Sequence, residues 1–168
     1  MNQALKVLGI VVLALGEIMI FDNHAYVVID DTTTGQGAFE VLVDPARLVV
    51  HLEYGPSMMW NTVYGMHGSD PVLGAARMGG MMGGGYGLAT TTTDATPLTE
   101  AEAREKAAAY LEQAYPDRTL AATAEAFPGY FTFDVESGGA PVSMLSVNAY
   151  TGQVWYHTWH GTFVEMSE

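Results

Sequence analysis

The 168-residue chain contains no cysteine, which removes disulfide frameworks, thiol nucleophiles and Cys-ligated zinc or iron–sulfur sites from consideration. Basic residues are scarce: 6 Lys plus Arg stand against 19 Asp plus Glu, a formal net charge of −13. A phosphate backbone would repel such a chain, so nucleic acid is not among its expected partners. No nucleotide-binding loop, nucleophile elbow or HExxH helix occurs, and no carboxylate has a recognisable orienting partner. The chain is therefore not expected to be an enzyme.

What is present is unevenly distributed. From Ala4 to Phe21 runs ALKVLGIVVLALGEIMIF, interrupted only by Lys6 and Glu17. A membrane-spanning helix needs about 17–25 apolar residues, and this run just reaches that length. It is read as a signal-anchor over residues 1–23, the alternatives being a cleaved secretory signal and a buried core helix. Lys6, the only basic residue near the start, favours an inside amino terminus, placing the acidic remainder outside the cell membrane as a single-pass protein. In that reading Glu17 reaches the outer interface or contacts another membrane subunit.

Residues 24–56 contain AYVVID, AFEVLVD and RLVVHLEYG, short Val- and Leu-rich runs expected to form membrane-proximal strands. His51 lies in an alternating run and reads as an ordinary half-buried side chain, and His24 as an interfacial one. Residues 57–97 form a Met-, Gly- and Thr-rich loop. Met58, Met59, Met66, Met78, Met81 and Met82 lie there among glycines that support neither helix nor strand for long. Thioethers are soft donors suited to Cu(I), and His67 beside Met66 would complete a copper site. The same tract also serves as an adaptable partner or membrane contact around Trp60, or as a plain linker.

From Thr99 the pattern becomes regular. Thr99 and Glu102 have capping-box spacing, good helix formers follow, Ala103, Ala107, Tyr110, Leu111 and Ala114 recur at helical intervals, and Pro116 ends the run. Four β-rich runs come next, TLAATAEAF, GYFTFDVES, PVSMLSVNAY and QVWYHTWHG. Phe131, Phe133 and Val135 alternate with Thr132, Asp134 and Glu136, the pattern of a sheet with one face buried and one wet. Turns are expected at Ser137-Gly138-Gly139 and at Ala149 to Gln153. The fold class expected is α+β: an amino-terminal transmembrane helix followed by a small antiparallel sheet packed on one helix.

The helix ending in AYPD, the GYFTFDVES strand and the VNAYTGQVW hairpin together resemble the PepSY domain family, over residues 99–161 within a domain spanning 98–168. That resemblance implies an extracytoplasmic or membrane-attached binding or inhibitory module without catalysis of its own. An accessory subunit of a larger membrane complex, respiratory or metalloenzyme, is the first expectation. A copper(I)-binding protein and a peptidase-inhibitory or regulatory module are the alternatives. Within the last run, Trp155, His157 and Trp159 share a strand face and are expected to contact a partner. His157 and His160 are too close for a strand to aim both at one ion unless the chain turns near Gly161.

Overall fold

The computed structural model describes residues 12–66 and 96–167. Two antiparallel sheets pack face to face, and one long helix covers the outer side of the second. The first sheet has the order β10-β1-β2-β3-β4, formed by Phe163–Ser167, Leu13–Phe21, Ala25–Asp31, Gln36–Asp44 and Val49–Leu52. In the second, β5 (Thr119–Leu120), β7 (Tyr130–Ser137), β8 (Ala140–Asn148) and β9 (Val154–Tyr156) follow one another, with β6 (Glu125–Phe127) also pairing β7. A short helix α1 (Pro56–Met59) follows the first four strands, and α2 (Glu100–Ala114) precedes the second sheet.

The amino-terminal helix expected over residues 1–23 is not what the described part of that stretch forms; residues 1–11 lie outside the described residues. Leu13–Phe21 is a β-strand hydrogen-bonded between β10 and β2, with Ile18 opposite Val27 on one side and Ser167 on the other. No helix among the described residues is long and apolar enough to cross a membrane. The fold is thus strand-dominated, and the expected anchored α+β arrangement is corrected on this point. An unbroken apolar run is ambiguous between a helix and a strand buried on both faces. Here the carboxyl half of the run is the buried part: Met19 and Phe21 are core residues, while Leu13 and Leu15 are exposed. Glu17, expected at a membrane interface, sits instead where the β1–β2 register shifts between Leu15 and Ile18.

The second sheet follows its sequence pattern closely. Thr99 caps α2 in a full capping box with Glu102, as the spacing indicates. Ala103, Ala107 and Leu111 press on Phe133, Val135, Leu145, Val147 and Tyr156, an all-apolar layer. Gly138 and Gly139 both take positive φ in the two-residue β7–β8 connection, a backbone that β-carbon-bearing residues resist. The opposite face of β7 and β8 meets the first sheet, where Tyr130 and Met144 join Met19, Phe21, Tyr26, Val28 and Leu42. The far side of the first sheet is covered by the chain after α1, with Tyr64 packed 5.3 Å from the Phe39 ring.

Candidate metal centre

Between the two sheets lies a connected set of buried polar side chains. Glu40 on β3 is wholly buried and accepts from three hydroxyls: Tyr26 at 2.8 Å, Thr132 at 2.8 Å and Tyr130 at 2.7 Å. Burial and the neighbouring Glu53 push its carboxyl well above the ordinary range, despite the hydroxyl bonds that oppose the shift. Burial, with Glu40 alongside, pushes the Tyr26 and Tyr130 phenols up too.

Glu53, just past β4, is the second buried carboxylate, and its backbone N–H donates to the Glu40 carbonyl at 2.9 Å. Its Oε1 lies 3.3 Å from His157 Nδ1 and 3.0 Å from His160 Nε2, and it accepts from Trp159 Nε1 at 3.1 Å. His160 Nε2 is 3.4 Å from His157 Nδ1, which closes the triangle. Burial alone would raise the Glu53 carboxyl, but the two imidazoles outweigh it and hold the group low, at about 2. Oε2 of Glu53 is buried with no hydrogen-bond partner among the described residues. A buried polar atom left unmatched is uncommon and costs about 1–3 kcal/mol.

The local chain explains how residues more than a hundred positions apart converge. Strand β9 ends at Tyr156, and His157 keeps one further ladder bond, donating to the Met144 carbonyl at 2.9 Å. The chain then leaves the sheet and is tied to the β1–β2 turn: Gly161 N donates to Asn23 Oδ1 at 3.0 Å and Thr162 N to Asp22 Oδ1 at 2.9 Å. A β-carbon at Gly161 would collide with the Asp22 carboxylate. This departure from the strand allows His157 and His160 to face one carboxylate.

The three ligand atoms form a triangle with edges of 3.3, 3.0 and 3.4 Å. A tetrahedral zinc-class ion with bonds of about 2.0–2.1 Å holds its ligands about 3.3 Å apart, so the triangle approximates one face of that tetrahedron. His160 Nδ1 is 2.7 Å from His24 Nε2, and a second partner of this kind orients a ligating imidazole. Burial lowers both His24, to about 4, and His160, so the neutral, ligating form is favoured. A cavity of about 230 Å³ adjoins the cluster, lined in part by His24, Asp44, His51, Tyr54 and Trp159.

The residues singled out in the sequence fall differently. Of the copper set, Met58 is half-buried in α1, and Met59 and Met66 are exposed; His67, Met78, Met81 and Met82 lie outside the described residues. Trp60 and Trp155 pack edge to face, their rings 5.5 Å apart, against the core rather than on a free stripe. His157 is wholly buried, and Trp159 stacks on it at 4.6 Å. Glu53 is the member that sequence reasoning passed over, while His157 and His160 needed a turn near Gly161 to share one ion, and the structure supplies it. The available signal was the His-x-x-His spacing at the end of the last aromatic run, together with a carboxylate closing a Val-rich one. No protein-family model, curated protein or solved structure matches this chain.

Proposed function

We propose that the chain is a metal-binding protein that holds one divalent ion of the zinc class through Glu53, His157 and His160. The observation that carries this reading is the buried triangle of ligand atoms with an orphaned carboxylate oxygen. Two imidazoles and a carboxylate suit a borderline divalent ion, and no thioether belongs to the set, which disfavours Cu(I) at this position. Three protein ligands leave the fourth position of a tetrahedral ion open to water or a further ligand. Exchange with solvent proceeds through the cavity, past His24 and Trp159.

The test is titration of chelator-stripped full-length protein with Co(II) and Zn(II). One equivalent should bind, with the visible absorption of tetrahedral cobalt, and His160→Ala and Glu53→Gln should each abolish it. Absence of binding, or binding that both variants retain, sinks the reading.

A second reading is a PepSY-like contact module, an extracytoplasmic accessory subunit of a larger complex. Its support is the capped helix lying on the β7–β8–β9 meander within residues 99–161. A helical anchor is no part of it. Copurification from mild detergent with a stable partner supports this reading, and a clean monomer counts against it.

A further inference from the structure

We infer that Glu40 positions the metal centre from a distance, by fixing which nitrogen of His157 carries the proton. This rests on the metal-binding reading above. Glu40 side-chain atoms touch none of the three ligands; the link runs through Thr132 and Ser146.

The argument is a count of protons. Oε1 of Glu40 faces two hydroxyls, Tyr26 and Thr132, and Oε2 only Tyr130, so a proton on the carboxyl is placed on Oε2, the oxygen with fewer donors to accept. Oε1 then has no hydrogen to offer, and the Thr132 hydroxyl donates to it at 2.8 Å. The hydroxyls of Thr132 and Ser146 are 2.8 Å apart, and one proton must lie between them. Thr132 has already committed its own, so Ser146 donates to Thr132. Ser146 Oγ is then left with only lone pairs toward His157 Nε2, 2.9 Å away. Nε2 must therefore be the protonated nitrogen. In the neutral ring Nδ1 is consequently bare, and it faces Glu53 Oε1 at 3.3 Å.

Two acceptors held at that distance repel unless a cation lies between them. The relay thus presents Nδ1 as a ligand and denies Glu53 a neutral donor from His157. The hold of His157 on the Glu53 carboxyl belongs to the doubly protonated ring, and with the neutral ring it falls to His160. His157 is further held by its backbone, whose carbonyl accepts from Ser143 Oγ at 2.9 Å. Glu40, Thr132 and Ser146 are positioning residues, since none reaches the ion.

The experiment is long-range ¹H–¹⁵N correlation of the His157 ring in the metal-free and zinc-loaded full-length protein. In the wild type Nε2 should carry the proton in both states, with Nδ1 bare in the neutral metal-free ring and shifted when zinc is added. Thr132→Val frees the Ser146 proton to donate to Nε2. The ring should then switch to the Nδ1–H form, zinc affinity should fall about 10–100-fold, and Thr132→Ser should restore both. The inference is overturned by a neutral wild-type ring protonated on Nδ1, by a ring doubly protonated up to pH 9, or by a valine variant that keeps the wild-type tautomer. The ring measurement on metal-free protein does not depend on zinc, so its outcome is separable from failure of metal binding itself.

Discussion

The two faces of strands β7 and β8 are built from alternate residues of the same segments and obey different rules. Toward α2, Phe133, Val135, Leu145 and Val147 make a layer that demands only shape and apolarity. Toward the first sheet, Thr132, Ser146 and their partners bury hydroxyls, carboxylates and imidazoles, each requiring a particular neighbour. An apolar layer tolerates substitution roughly in proportion to lost volume, whereas a hydrogen-bonded one fails at single atoms. Removing a contact from each face in turn is therefore the direct way to sharpen the difference.

The largest effect is expected on the helix side. Phe133→Ala should cost about 3–5 kcal/mol in denaturant unfolding, with metal binding retained wherever the variant is folded. A loss much under that range would mean the helix layer collapses into the gap. On the polar side, Asp134 offers a change of opposite sign. Burial, aided by Glu136, raises its carboxyl to about 6 from 3.8. Below about pH 3 the group is protonated folded and unfolded alike; between 3.8 and 6 the unfolded carboxyl ionises while the buried one resists, so the penalty accrues over that window and is complete above it. Asp134→Asn should thus stabilise the protein by up to about 3 kcal/mol at pH 8, and the gain should vanish below about pH 3. A pH-independent effect would place its origin elsewhere.

Tyr130→Phe removes one of three hydroxyls on Glu40 while sparing the ring's packing. A loss of about 1–2 kcal/mol is expected, without change in zinc stoichiometry, checked by paired unfolding and titration. The smallest change is Thr99→Ala, which deletes the cap of α2 and should cost about 1 kcal/mol in thermal unfolding. It touches neither sheet interface.

The comparison also explains which parts were legible in the sequence. Period-two alternation in residues 131–136 and the Thr99–Glu102 spacing are local signals, and both describe elements that formed, although the strand face read as wet is buried against the first sheet at Thr132. The amino-terminal run misled because an apolar stretch reads alike as a helix or a buried strand, and Glu17, one of its two charged interruptions, falls where the β1–β2 register shifts. The metal centre was hidden for another reason. Trp159 and Glu53, which meet in it, are 106 positions apart, and the turn that redirects His160 depends on side chains of the β1–β2 loop. No periodicity in either segment announces a meeting of that kind. The resemblance to PepSY domains spoke only to the helix and the second sheet, leaving the first sheet and its carboxylates without a prior.

One pairing has a temporal consequence. Strand β10 zips onto β1, made far earlier in the chain, with Phe21 opposite Phe163 and Ile18 opposite Ser167. During synthesis β1 waits with one edge uncovered until the ribosome has delivered β10. Because the loop that carries His157 and His160 arrives just before β10, the proposed ion-holding pocket is incomplete until then, and any metal would be loaded only after that point.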